Sequence, residues 1–219
     1  MILKPENHEE WLKLRMKGIG GSDAGIAIGV NKYKNNVELW LEKTGRVSQE
    51  DISDKSAVKF GKLAEQYLRE LFKLDFPQYS VNYHEFYMYV NDDYPFIFAT
   101  LDGELTDENE RRGILEIKTT TIQNSAQWSE WETAEHEPRL PDSYYVQIIH
   151  QLAATGWEFA VLKAYIRYYR DGILKATVRH YFIERCDVEN DIKWLIDKER
   201  QFWENVTEGK EPALILPEI

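Results

Sequence analysis

The stretch Gly113-Ile114-Leu115-Glu116-Ile117-Lys118-Thr119 sets a carboxylate and an ammonium two residues apart inside an apolar run. In an extended chain successive side chains alternate between faces, so Glu116 and Lys118 share one face. Ile114, Leu115 and Ile117 mark the segment as a strand in a core, where charge is costly unless it is paired or binds a metal. A second acid, Asp102, ends the preceding apolar run Phe96-Ile97-Phe98-Ala99-Thr100-Leu101. Hard oxygen donors and a lysine on neighbouring strands suit phosphodiester hydrolysis. There Mg2+, held by oxygens and left partly hydrated, supplies charge neutralisation and an activated water. Asp102 and Glu116 are the candidate ligands, and the backbone carbonyl of Ile117 offers a third oxygen. Lys118 is placed to orient the water and to stabilise developing charge. Glu65, in Gly61-Lys62-Leu63-Ala64-Glu65, falls between Leu63 and Leu68 on an apolar helical pattern and is the candidate for a further metal ligand.

Taken singly, each residue has a plainer reading. Asp102-Gly103 is a common turn dipeptide, Glu116 and Lys118 can pair on a solvated face, and a lone helical Glu65 is ordinarily exposed. Their joint order, helix-Glu, strand-Asp, strand-Glu-x-Lys, is what argues for a site.

The elements that must position these groups follow from periodicity. Glu9 to Met16 reads as a short amphipathic helix. Gly18-Ile19-Gly20-Gly21-Ser22-Asp23-Ala24-Gly25 permits tight turns, with Ser22 or Asp23 capping a helix through Ala24 to Ile28. It is neither a dinucleotide fingerprint nor a Walker loop, which ends in Gly-Lys-Ser/Thr. Val37 to Gly45 reads as a helix closed by its glycine. Ala57 to Leu74 has strong helical spacing (Val58, Phe60, Leu63, Ala64, Tyr67, Leu68, Leu71, Phe72) and stops at Pro77. Strands are expected at 81–90, 95–105 and 113–121, with a charged turn from Thr106 to Arg112. Gln123 to Pro141 reads as a Trp- and Glu-rich helix or lid. Tyr144 to Thr155 reads as an apolar helix, 160–168 and 178–183 as strands, and about 187–207 as a closing amphipathic helix. The sum is a mixed α+β fold in one domain, with an N-terminal helical part (about 1–56) before the core (about 57–185).

Composition bounds the function. The 219-residue chain is long enough for a substantial core. No apolar run approaches the roughly 18 residues of a membrane helix, and Met1 to Asn7 lacks the apolar stretch of a signal peptide. A single cysteine, Cys186, excludes an internal disulfide framework or a four-cysteine metal site and points to a reducing cytoplasm. The net charge of −11 argues against a broad DNA-coating surface. Residues 1–46 nevertheless hold eight Lys/Arg against six Asp/Glu, a net of +2 that leaves −13 for the remainder. His84, His136, His150 and His180 lack paired metal-ligand spacing and read as structural or surface residues. Trp128, Trp131, Trp157, Trp194 and Trp203 read as core or subunit contact, with Trp128 and Trp131 the two worth testing near DNA.

Five pieces in order carry a resemblance: Trp11-x-x-x-Arg15 with Ser22 seven residues on, Gly61-x-x-x-Glu65, Thr100-Leu101-Asp102-Gly103, Glu116-Ile117-Lys118, and Tyr144-x-x-Gln147-x-x-x-Gln151. With them the chain resembles the YqaJ-type viral recombinases, the family that includes the phage lambda alkaline exonuclease, within the PD-(D/E)xK nuclease superfamily. Leu101 stands where the superfamily's eponymous proline would be. The resemblance implies a restriction-endonuclease-like core and metal binding by Asp102, Glu116, the Ile117 carbonyl and Glu65. It also implies assistance to the water by Lys118 and positioning of water or substrate by Gln147. Arg15 and Ser22 match the residues that receive a 5′-terminal phosphate. An arginine fork and a hydroxyl near a helix start suit an anion. The implied activity is a Mg2+-dependent exonuclease, with Mn2+ substituting, that degrades double-stranded DNA from a 5′ end and leaves a 3′ overhang for a single-strand annealing partner. A homo-oligomeric ring, such as a trimer, is implied by the same resemblance. A restriction-like endonuclease of the same fold and a non-catalytic DNA-binding module are the alternatives.

Overall fold

The apolar run around Glu116 becomes the central strand of a mixed five-stranded sheet. The structure is a computed structural model that describes residues 1–216. In chain order the elements are β1 (Ile2–Leu3), α1 (His8–Arg15), α2 (Gly21–Ala27), α3 (Asn36–Lys43), α4 (Ser56–Asp75), β2 (Ser80–Asn82), β3 (Met88–Val90), β4 (Phe98–Ala99), β5 (Gly103–Thr106), β6 (Arg112–Ile122), α5 (Ser125–Trp128), α6 (Asp142–Thr155), β7 (Phe159–Arg170), β8 (Ile173–Glu184) and α7 (Glu189–Glu208). The large sheet has the order β2-β5-β6-β7-β8, and the smaller antiparallel sheet is β1-β3-β4. Within the large sheet neighbours pair antiparallel except β6 and β7, which pair in parallel with Glu116 opposite Leu162. Their connection therefore has to cross over, and α5 and α6 occupy it.

Alternation along β6 assigns its two faces. Ile114 packs with Ile148, Leu152 and Leu162 under α6, whereas Leu115 and Ile117 pack with Leu68 and Phe72 of α4. Each such fully buried aliphatic side chain contributes about 2 kcal/mol. At the far end of α4, the buried Lys163 of β7 donates to Asp75 Oδ2 at 3.0 Å, a pairing that makes burial of the ammonium tolerable.

Several expected elements are redrawn. The strands at 81–90 and 95–105 each split in two. Phe86 adopts a left-handed backbone (φ 66°), which ends one extended run, and the halves β2 and β3 join different sheets. The expected strands at 160–168 and 178–183 lengthen into one long hairpin closed by Asp171-Gly172, both at positive φ (55° and 74°). That dipeptide suits the primed hairpin turns. The 123–141 segment is one helical turn followed by a loop tied by a Glu132–Pro138 bridge. In this segment Trp131 is 3% exposed in the core, packed near Tyr144, while Trp128 packs edge-on to Tyr168. Trp157 is also buried, but Trp194 is exposed. Helix α4 buries only part of its apolar arc: Leu68 and Phe72 face inward, while Leu63, Tyr67, Leu71 and Leu74 are exposed.

The N-terminal helices are set against the small sheet by close backbone contact. A Cβ on Gly18 would lie 2.3 Å from the Phe96 carbonyl oxygen, so no larger residue fits there. Ile19 N–H donates to that oxygen at 2.6 Å, and Phe98 N–H donates to Ile19 O at 3.1 Å. Among the described residues no helix is long and apolar enough to cross a membrane.

Candidate active site

An open cleft of about 1170 Å³ runs between α1, α2, α4 and the β5–β6 edge; Arg15, Ser22, Glu65, Asp102, Glu116, Lys118 and Gln147 all line it. Residues more than 100 positions apart in the chain therefore share one chamber.

Its floor is acidic. Asp102 ends the β4–β5 connection one residue before Gly103 pairs with Leu115, and Ile117 N–H donates to Asp102 Oδ2 at 2.8 Å. Among the described residues Oδ1 receives no hydrogen bond. Glu116 is 2% exposed. Its Oε1 accepts from Gln147 Nε2 at 2.6 Å and pairs with Lys118 Nζ at 2.7 Å, and its Oε2 accepts from Gln151 Nε2 at 2.6 Å. Glu116 and Lys118 thus share a face, as strand alternation requires. Glu65 Oε1 accepts from Arg69 Nη2 at 2.5 Å, and Arg69 Nε donates to the Asp102 carbonyl at 2.5 Å. Arg69 therefore ties α4 to the Asp102 backbone, and its guanidinium lies 3.6 Å above the Tyr83 ring.

The charges do not cancel. Burial, reinforced by the carboxylates of Glu116 and Glu65, pushes the Asp102 carboxyl well above the usual range. Burial also raises Glu65, against the pull of Arg69. Burial opposes the charge on Lys118, but Glu116 and Asp102 outweigh it and lift the ammonium to about 12. Three carboxylates thus face two cations, Lys118 and Arg69.

Among the described residues no three His, Cys, Asp or Glu side chains converge tightly enough to form a metal cage unaided. The donor set still fits a hard divalent cation, which needs few carboxylates when it keeps its waters. Asp102 Oδ1 lacks a protein donor, Glu116 Oε2 has one lone pair uncommitted, and the local charge is short by one positive unit.

The rim is cationic. Arg15 Nη2 donates to Ser22 Oγ at 3.1 Å, and its guanidinium stacks 4.7 Å from the Trp11 ring. Trp11 Nε1 in turn donates to Thr100 Oγ1 at 3.1 Å, two residues before Asp102. Ser22 lies within the first turn of α2, whose N-cap is Gly20; Gly20 N–H donates to Asp23 Oδ2 at 3.1 Å. Ser22 is therefore free of the capping role and its hydroxyl faces Arg15.

Three further residues belong with the site: Arg69 lines the chamber, and Gln151 and the Lys43 side chain lie buried behind its wall. Arg69 was signalled only by its i,i+4 spacing from Glu65. Gln151 sat in the helical motif beside Gln147, without a reason to be turned to Glu116. In the sequence Lys43 stands out only as one of the eight cations of residues 1–46. The expected scatter of histidines holds, but His150 is fully buried between Glu199 Oε1 (2.6 Å) and the Phe98 carbonyl (2.8 Å).

Comparison with known proteins bears on both the fold and the family. A curated relative, the uncharacterized protein YqaJ of Bacillus subtilis, is 34% identical over 212 residues; the match spans 95% of this chain but only 59% of that protein's length. The alkaline exonuclease of Laribacter hongkongensis superposes with a TM-score of 0.63 at 18% identity, covering 91% of this chain and 95% of that one. A phage-related exonuclease from Haemophilus somnus superposes with a TM-score of 0.55 at 12% identity over 88% and 96% of the two chains. The model of the YqaJ-like viral recombinase domain matches residues 10–158, and the chain belongs to that family.

Proposed function

We propose that this chain is a metal-dependent exonuclease that digests one strand of duplex DNA from its 5′ end and leaves a 3′ overhang for homologous recombination. The observation that carries this reading is the under-neutralised oxygen cluster of Asp102, Glu116 and Glu65 beside a charged Lys118. The exonucleases of shared fold support it, one of them also known in complex with dAMP.

Asp102, Glu116 and the Ile117 carbonyl would hold Mg2+, or Mn2+ in its place, with Glu65 completing the surroundings. When bound, the cation offsets phosphate charge and lowers the pKa of a coordinated water. The chain's own groups do the rest. Lys118, paired with Glu116, is placed to donate to the attacking water or to a phosphoryl oxygen. Gln147 donates to Glu116 Oε1 and lies beside Gly21 of α2, where it is placed to orient water or substrate. Arg15 and Ser22 hold the 5′-terminal phosphate, which sets the polarity of digestion.

Incubation of end-labelled duplex with Mg2+ tests the reading directly. Wild-type protein is expected to release nucleotides from linear DNA and to spare covalently closed circles, and Lys118→Ala to be inactive. Equal digestion by both proteins removes the proposed site, and cleavage of closed circles replaces an exonuclease with an endonuclease. A ring-shaped homo-oligomer and an annealing partner belong to the same proposal, checked by light scattering and by co-purification.

A further inference from the structure

Behind the proposed phosphate pocket lies a buried ion pair that the hydrolytic site does not use. Asp23 of α2 is 5% exposed, and the Lys43 side chain at the end of α3 is likewise 5% exposed. Lys43 Nζ lies 2.7 Å from Asp23 Oδ2 and donates to the backbone carbonyl of Arg15 at 2.9 Å. The other Asp23 oxygen, Oδ1, lies 3.8 Å from Arg15 Nη2, the same nitrogen that donates to Ser22 Oγ. One carboxylate and one ammonium thus grip three helices and hold both ends of Arg15, main chain and guanidinium.

We infer that Asp23 and Lys43 are a positioning pair that makes the cleft selective for a phosphorylated DNA end. The inference rests on the assignment of Arg15 and Ser22 to the 5′-phosphate. Two physical effects combine. The first is charge. Asp23 alone beside Arg15 would cancel the guanidinium and leave nothing for a dianionic phosphate. Lys43 takes up the carboxylate, so the triad keeps one net positive charge, and that charge sits on the group at the cleft. The Asp23 carboxyl is accordingly held ionised: burial opposes its charge, but Lys43 and Arg15 outweigh it. The second effect is orientation. An arginine fork discriminates phosphate by geometry, and this one is fixed by Trp11 below, Ser22 beside it, Asp23 behind it and Lys43 at its own carbonyl. A surface arginine would have to be ordered at each binding event.

The test compares kcat/KM on duplexes with 5′-phosphate and 5′-hydroxyl ends, with wild type, Lys43→Met and the double variant Asp23→Asn/Lys43→Met. In Lys43→Met the ratio of the two values should fall at least about ten-fold toward one, through a raised KM on the phosphorylated end, since charge-assisted contacts are the strong ones. A purely structural role would lower both rates together and leave the ratio unmoved. Lys43→Met strands a buried carboxylate, so the double variant guards against misfolding by replacing both charges with neutral groups of similar size. It keeps the Arg15 charge and loses its tethers, so a smaller fall, roughly three-fold, is expected. A folded variant of either kind that keeps the wild-type ratio overturns the inference while the phosphate assignment stands. A wild-type enzyme that treats both ends alike overturns the assignment and the inference with it.

Discussion

Two aspartates flank the same cleft, the buried Asp23 behind its wall and the half-buried Asp102 on its floor, and their carboxyls are driven in opposite directions. Asp23 is surrounded by Lys43, Arg15 and the Gly20 amide and stays below the usual carboxylate range despite burial. Asp102 has the Ile117 amide and Lys118, but Glu116 and Glu65 stand beside it, and burial drives it well above that range. The first site is electrostatically complete without a ligand. The second is short of a cation. Burial of an acid is therefore no mark of function in itself; what distinguishes the two is whether the protein supplies the compensating charge.

The contrast breaks most visibly in catalysis. Asp102→Asn should lower nuclease turnover on the order of a thousand-fold or more, since several kcal/mol of transition-state charge stabilisation depends on the cation it helps to hold. Steady-state digestion of labelled duplex measures this, and near-normal turnover would show that the cation sits elsewhere. Arg15→Ala should cost about ten- to a hundred-fold in kcat/KM on 5′-phosphorylated ends, with a much smaller loss on hydroxyl ends.

Stability sharpens the comparison with the signs reversed. In urea without divalent cations, Asp23→Asn should destabilise by about 3 kcal/mol, because the buried Lys43 loses its counter-charge. Asp102→Asn should instead be neutral or stabilising by about 1 kcal/mol, because it relieves repulsion with Glu116 and Glu65. Equal losses at both sites would erase the distinction. Saturating Mg2+ or Mn2+ should then stabilise wild type by roughly 1 to 3 kcal/mol by mass action. The Asp102→Asn variant should not respond, which a thermal melt with and without cation reads directly.

The smallest effect concerns the buried pair behind both sites. Burial opposes the charge on His150, but Glu199 and the Phe98 carbonyl outweigh it and raise the imidazole above its ordinary value. A raised folded pKa means a contribution fully present below the unfolded value near 6.5 and lost as pH rises through the folded one. The unfolding free energy from urea titrations should therefore fall by roughly 1 kcal/mol or less as pH rises above about 6.5. His150→Gln should flatten that decline, and an unchanged slope would assign it to other groups.

Much of this is legible in the sequence. Strand alternation put Glu116 and Lys118 on one face, and they are 2.7 Å apart. Helical spacing locates α4, and the charged stretch expected as a turn from Thr106 to Arg112 does close the β5–β6 hairpin, although those two end residues pair as strand. What failed did so for identifiable reasons. The 81–90 strand broke because Phe86 takes a left-handed backbone that no propensity assigns to a phenylalanine. The α4 pattern overstated its buried face, since apolar spacing records what is available to bury and not what packs against it.

Residue type and periodicity by themselves determined the α+β class, the central strand and which side chains share a face, because those are properties of the local backbone. Only the tertiary structure decided that Glu116 is gripped by Gln147 and Gln151, that Arg69 reaches from α4 to the Asp102 carbonyl, and that Asp23 is neutralised while Asp102 is not. Those outcomes depend on which charges approach within a few ångströms in a medium of low dielectric, and the distances are set by packing between elements whose residues lie 20 to 35 positions apart in the chain.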